Sequence, residues 1–384
     1  MRISDIDLFI YDAPFTFGYH SSHLLRLQAD SIIVAVRFDN GLTGYGESVP
    51  RPYVTGESPA SVKALFEKIV IPSLIGREVE SLADVERLLE ELKQECDRCG
   101  IREIQSALGA ADIALLDALG KLRGAPVCKL LGPEVRRHIP WSIVIPMLPE
   151  AIIRKYHKGI SSVSFESIKI ILDRNEDQNE ARVSLIRELF GGGISVRVEA
   201  NGHWTREEAH ANLKRLKGYG LAAVEQPVAK DDMVGLREIR EAYGIPVIVD
   251  ESMCGLEDAE ELISQKACDI LNIKISKVGG LLAAGRIAAR AAAQGVPCLL
   301  GSHVGETSVM TSAALHFLVT APNLLLVEGF SSLLFGEVSK IDDLNPEPMI
   351  RRIATAQGLG CDPEETLLRE RIPEVMLAAA PQEA

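Results

Sequence analysis

The sequence predicts an α/β fold in which eight strand-helix units close into a parallel barrel behind an α+β region. Three observations predict it. Four apolar runs, ISVRVEAN, LAAVEQP, IPVIVDES and ILNIKISKVGG, follow one another with Glu199, Glu225 and Asp250 closing the first three and Lys274 inside the fourth. Their separations of 26, 25 and 24 residues are each the length of one strand, one helix and two connections. From Ile139 onward candidate strands end near Ile145, Ile171, Glu199, Glu225, Asp250, Ile275, His303 and Glu328, with amphipathic segments such as EARVSLIRELF and TREEAHANLKRLKGYG between them. Before Ile139 no such alternation exists. An open doubly wound sheet would carry a phosphate-binding G-x-G-x-x-G after its early strands, which this sequence lacks, and ligands from many successive strands converge only if the sheet closes.

In chain order, residues 2–12 and 31–38 alternate apolar and polar and turn at GLTGYGE, which predicts an antiparallel meander. A polar, aromatic loop, FTFGYHSSH, lies between the first two strands, and a second loop, SVPRPYVTGES, leads into helical periodicity over 58–74, 81–98 and 101–123. The last of these carries small or apolar residues on most faces and stops at Gly124 before Pro126, which predicts a buried helix. The expected division is a capping region over 1–125 completed by the C-terminal segment, a barrel over 126–335, and a segment 336–384 frayed at its end.

Composition bounds the partners. The 384 residues are 47% hydrophobic and 25% charged, as in ordinary globular chains. The formal charge of −13, with no basic block, argues against nucleic acid or an anionic membrane. The N-terminus enters a strand pattern directly and no apolar run reaches the length of a bilayer span, so a cytoplasmic location is expected. Seven cysteines, an odd number spread through the chain, suit reduced thiols, and the Cys96-x-x-Cys99 pair lies in a charged helical stretch without a second pair.

The chemistry follows from the register. Consecutive parallel strands would bring Glu199, Glu225 and Asp250 to one end of the sheet, where they would repel one another unless a cation lay between them. Oxygen-only ligands suit Mg²⁺, with Mn²⁺ as the other candidate, rather than zinc. Taken singly, each carboxylate after an apolar run would be read as a helix cap or a solvated loop residue. Lys274 alternates with Asn272 and Ser276 and is expected to face the polar mouth as a base, whereas Lys277 belongs to the following turn.

On GLTGYGES, ADIALLDALGKLRGAPVCKLLG, VEANGHW, VEQP, VDES and KISKVGG, taken in this order, residues 1–340 resemble the enolase superfamily, and within it the muconate lactonizing enzyme subgroup of the mandelate racemase/muconate lactonizing enzyme family. The resemblance implies a modified TIM barrel, (β/α)7β, with an N-terminal α+β cap, one Mg²⁺ on Glu199, Glu225 and Asp250, a homo-oligomer, and removal of the proton α to a carboxylate of a small substrate through a metal-stabilised enediolate. The reaction expected is of the cycloisomerase or syn-elimination type. Asn201 and Glu251 are expected to orient the ligands. Tyr19, His20 and His23 in the first loop, with His303, Glu306 and Glu328, are expected to touch substrate.

Three departures from the family pattern bear on the reaction. Members commonly carry Lys-x-Lys on the second barrel strand; FESIKIILD has Lys169 alone, aligned with the first lysine and leaving Ile171 at the second, unless a two-residue slip places Ser167 first. Glu199 stands where Asp is usual. At the eighth strand dipeptide epimerases carry Asp-x-Asp for the substrate ammonium, and here it is Glu328-x-Phe. His303 lies in a region similar to the acid–base histidine of mandelate racemases, yet those carry aspartate where this chain has Lys274. Two alternatives therefore stand beside the main reading: a dipeptide or N-acyl amino acid epimerase or racemase using Lys169 and Lys274 together, and a non-catalytic binding protein that keeps the metal for stability.

Overall fold

A computed structural model describes residues 1–20, 25–160, 164–329, 350, 353 and 355–365, with the side chains of 16–18 and 20 excepted. His23, the side chain of His20 and the tail expected to fray lie outside the described residues. The N-terminal region holds an antiparallel sheet of β1 (Ile3–Tyr11), β4 (Ser31–Phe38) and β5 (Thr43–Ser48) in the order β1-β4-β5. Between β1 and β4 the stretch expected to be a loop is instead a two-stranded hairpin, β2 (Pro14–His20) with β3 (Leu25–Gln28). Phe15, Phe17 and Tyr19 alternate there with smaller or polar residues, a strand period that the surrounding serines and glycine obscure.

The helix Gln105–Arg123 packs across β5, and fifteen of its residues are buried. Gly44 and Gly46 make this possible: a Cβ at either would lie 2.0 Å from the Ala114 or Ala110 carbonyl oxygen. Two of the three glycines of GLTGYGES, Gly44 and Gly46, are thus a matter of close helix–sheet approach. The helix ends at Gly124 in the left-handed conformation, φ 57°.

Strands β6 (Trp141–Ile145), β7 (Ser167–Ile171), β8 (Ser195–Glu199), β9 (Ala223–Glu225), β10 (Val247–Val249), β11 (Ile270–Ile273), β12 (Cys298–Leu300) and β13 (Leu324–Glu328) form a closed parallel barrel in sequence order. The register places Lys169 beside Arg197, and Ile171, Glu199 and Glu225 side by side one layer above. Ala223, Ile248 and Leu299, with Ile270 and Leu326 packed against them, form an apolar cluster inside the barrel. Above this floor the interior is polar, and buried polar groups on that scale need partners or a ligand. All seven cysteines are free, Cys96 buried and Cys99 exposed. No helix among the described residues is long and apolar enough to cross a membrane.

Candidate active site

Each site residue leaves the barrel at the C-terminal end of its strand, where a strand's last inward side chain meets the mouth. Glu199 closes β8, Glu225 closes β9, Asp250 and Glu251 follow β10, and Glu328 closes β13. All five are buried. Lys274 is not inside a strand: β11 ends at Ile273, and Lys274, still extended at φ −122° and ψ 123°, precedes the helical turn Ile275–Val278. Ser276 consequently leaves the mouth and bonds the Val49 amide of the capping region at 3.0 Å.

Two lysines enter this carboxylate group from opposite sides, since β7 and β11 stand four strands apart in an eight-stranded ring. Lys274 Nζ lies 2.5 Å from Asp250 Oδ2. Lys169 rises from the layer below and reaches Glu199 Oε2 at 2.7 Å, Glu328 Oε2 at 2.8 Å and Glu225 Oε2 at 3.2 Å. Burial opposes the charge on each lysine, but Asp250 beside Lys274, and Glu199, Glu225 and Glu328 around Lys169, outweigh it and hold both above the ordinary lysine value. Lowering of the Lys274 pKa by a neighbouring cation therefore has to overcome this carboxylate field.

The carboxylates divide by environment. Burial pushes Glu225 up to about 8, with Glu199 adding to it and Lys169 opposing. Burial and the Asp250 charge raise Glu251 to about 7. Burial disfavours ionised Asp250 as well, yet Lys274 and Lys277 together hold it far below the usual range. Lys277 is wholly buried and donates to Asp250 Oδ1 and to the Asp250 and Asn272 carbonyls at 2.7, 2.7 and 2.9 Å, a structural role consistent with its place in the turn.

Oxygens of Glu199, Asp250 and Glu251 lie within 4.8 Å of one another. Among the described residues, Glu199 Oε1 and Glu251 Oε2 are buried without a hydrogen-bond partner, the orphaned acceptors that a hard divalent cation would satisfy. The donor set therefore fits Mg²⁺. Glu225 stands apart from this trio because Asn272 Nδ2 donates to its Oε1 at 2.6 Å and Lys169 flanks it. Asn201 Nδ2 donates to Glu251 Oε1 at 3.3 Å and so orients it. Asn201 and Gln226 adopt positive φ, 50° and 36°, next to two of these carboxylates, local strain of the kind that functional sites retain.

The remaining expected residues fall around the mouth. Tyr19 on β2 lies near enough to Lys169, Glu199, Lys274 and Glu328 for each to act on its phenol, whose pKa burial raises. His303 Nδ1 donates to the Val49 carbonyl at 3.2 Å, so that nitrogen serves no histidine–carboxylate dyad. Burial, Lys274 and Arg51 hold His303 far below the ordinary histidine value, in its neutral form. Glu306 Oε1 accepts from the His303 amide at 2.6 Å and braces the same loop, and burial raises it to about 8.

Two residues absent from the sequence reading organise the site. Arg197, two positions before Glu199 and so on the same inward face, forms an ion pair with Glu328 Oε1 at 2.9 Å and donates a hydrogen bond to Ser142 Oγ at 2.8 Å. Gln226 Oε1 accepts from the Asp250 and Ser252 amides at 3.0 and 3.2 Å and so holds the backbone that carries Asp250. A period-two count back from Glu199 would have found the arginine.

Comparison with known proteins agrees with this geometry. Residues 6–132 match the family described as mandelate racemase/muconate lactonizing enzyme, N-terminal domain, and residues 151–367 match the enolase C-terminal domain-like family. The N-succinyl-L-Arg/Lys racemase of Bacillus cereus is 28% identical over 371 residues, 96% of this chain and 98% of that one, and its crystal structure superposes with a TM-score of 0.86. A muconate lactonizing enzyme from Pseudomonas fluorescens, solved with muconolactone, is 27% identical with a TM-score of 0.86, covering 96% of this chain and 98% of that one. A dipeptide epimerase from Enterococcus faecalis, solved with Mg and the dipeptide L-Leu-L-Tyr, is 25% identical with a TM-score of 0.83, covering 94% of this chain and 99% of that one. With both halves matched and the barrel mouth built as described, the chain belongs to the enolase superfamily, as an enzyme of its muconate lactonizing enzyme subgroup.

Proposed function

We propose that this chain is a Mg²⁺-dependent isomerase or lyase that removes the proton α to a carboxylate of a small substrate, in a reaction of the cycloisomerase or syn-elimination type. The observation that carries this reading is the inequality of the two lysines. Among the described residues Lys274 has one ion-pair partner, Asp250, and Asp250 is a candidate ligand. Lys169 has three, and one of them, Glu328, belongs to no ligand set. With Asp250 in the ligand set, Lys274 would be released from its ion pair and could take a proton, whereas Lys169 keeps Glu328 and stays an ammonium.

Glu199, Asp250 and Glu225 would hold the cation, with Glu251 as the neighbouring donor. When bound it supplies positive charge to the substrate carboxylate oxygens as electron density moves onto them. Lys274 takes the proton, Lys169 presents a fixed positive charge from the opposite side, and Tyr19 covers the pair and keeps water from the carbanion. His303, Glu306 and Glu328 shape the wall around the substrate. The working form is a homo-oligomer by family resemblance, the cytoplasmic location rests on the sequence pattern alone, and Mn²⁺ would substitute for Mg²⁺.

A second reading, an epimerase or racemase that uses both lysines, is favoured by one observation: they stand on opposite strands of the ring and both are buried at its mouth. Within it, an N-acyl amino acid suits the site better than a dipeptide, because the Glu328 charge is already paired with Lys169 and Arg197 and offers little to a substrate ammonium. The test is a library of muconate-type dicarboxylates, N-acyl amino acids and dipeptides incubated with enzyme and Mg²⁺ in D₂O. Incorporation of α-deuterium or formation of product supports the proposal. Tight Mg²⁺ binding with no turnover of any member would support the non-catalytic alternative instead.

A further inference from the structure

Arg51 is 1% exposed, and burying a guanidinium that thoroughly is costly unless its donors are matched. It lies in the loop after β5 and spends those donors on two separate parts of the molecule. One arm donates to the Val304 carbonyl in the loop after β12. The other meets Asp30 Oδ1 at 2.8 Å, in the turn between β3 and β4. Asp30 is held in turn by Arg26 on β3, at 2.7 Å. Arg26 is the register partner of Tyr19 across the hairpin.

The surroundings are built for this bridge. The Val49–Arg51 segment is tied to the barrel at two further points, its Val49 amide to Ser276 and its Val49 carbonyl to His303. At the root of the hairpin the Ala29 amide donates to the Ala13 carbonyl at 2.8 Å, and these two alanines pack with Tyr11 and Phe15. Gly305, at φ 100°, lets the two sides meet: a Cβ there would lie 3.4 Å from Arg51 Nη2 and 3.5 Å from Ala29 Cα.

We propose that Arg51 is a positioning residue that pins the β2/β3 hairpin to the barrel through Asp30 and Arg26, and thereby holds Tyr19 against the two lysines. The planar fork is what the task requires, since one rigid group must satisfy a carbonyl and a carboxylate that lie on different elements. A lysine there could hold one of them.

Hydrogen–deuterium exchange of the full-length chain, read by mass spectrometry on wild type, Arg51→Met, Arg51→Lys and Asp30→Asn, tests this without a substrate. Its failure therefore leaves the proposed chemistry standing. Arg51→Met and Asp30→Asn should speed exchange in 14–20 and 25–28 by roughly ten- to a hundredfold, the range of one charged hydrogen bond, with 195–201 and 247–253 unchanged. Arg51→Lys should fall between them and wild type. An arginine that only stabilises the loops would raise exchange around 49–54 and 301–306 and leave the hairpin at wild-type rates. That outcome, or an equal rise in the barrel peptides, overturns the proposal. If Arg51→Met does not fold, Asp30→Asn decides, because it leaves the bond to Val304 in place.

Discussion

Arg197→Met removes the cation from the buried layer beneath the ligands and leaves a side chain of similar length behind. Glu328 Oε1, 3% exposed as a residue, then loses its 2.9 Å partner, and Ser142 Oγ loses a donor at 2.8 Å. Removing one member of a buried ion pair costs ~3–5 kcal/mol, because the other charge stays buried. Lys169 still holds Glu328 Oε2 at 2.8 Å, so the lower end applies, ~3 kcal/mol or about a hundredfold in the folding equilibrium. Urea denaturation of the metal-free protein measures it as a fall in midpoint at unchanged slope. Arg197→Met combined with Glu328→Leu should regain a large part of the loss, since an apolar pair replaces the stranded charge while Lys169 keeps Glu199 and Glu225. A single variant within ~1 kcal/mol of wild type, or a double variant that loses the sum of its singles, would refute the reasoning.

Calorimetric titration with Mg²⁺ should show at least a tenfold loss of affinity in Glu199→Gln and Asp250→Asn with folding retained; between Glu225→Gln and Glu251→Gln, a larger loss in the former supports Glu225 as the third ligand, and a larger loss in the latter gives that place to Glu251. Full activity in excess chelator would contradict the metal assignment. Tyr19→Ala should lower kcat/KM by about tenfold, because it uncovers the two lysines to water. A change within about twofold would remove Tyr19 from the site. Asp112, buried in the helix Gln105–Arg123, accepts from the Leu281 and Leu282 amides at the start of helix Leu281–Ala293, and burial raises its pKa from 3.8 to about 7. The native state thus binds more protons than the unfolded chain between those values, so this group's contribution falls as pH rises through that window. The stability of wild type relative to Asp112→Asn should decline from about pH 4 to about pH 7 and level off above; a constant or rising difference would contradict it.

The eight barrel strands were legible because short apolar runs recur at the spacing of one strand and one amphipathic helix, and the helix Gln105–Arg123 because few of its faces could tolerate water. Lys274 was found but misplaced by one element, since alternation across Ile273 to Ser276 continues where the backbone turns helical. The hairpin was missed because Gly18 and the following serines dilute a three-aromatic alternation. What composition cannot show is pairing between residues remote in sequence. Lys169 stands 159 positions from Glu328, and only the register reveals that a lysine one layer below Ile171 is long enough to reach the ligand layer. Arg51 reads as one basic residue in a polar loop, and its burial depends on Asp30 and Val304 arriving from elsewhere.

The central claim is that Lys274 is the base and Lys169 the fixed charge. The direct measurement follows deuterium exchange from each enantiomer of a turned-over chiral substrate in Lys169→Ala and Lys274→Ala. Lys274→Ala should lose exchange altogether, by a factor of about 10²–10⁴ or more. Lys169→Ala should bind and react more weakly yet still exchange on the Lys274 face. If each variant abolishes exchange of one enantiomer only, and of opposite enantiomers, the lysines are a matched pair of bases and the single-base account is wrong.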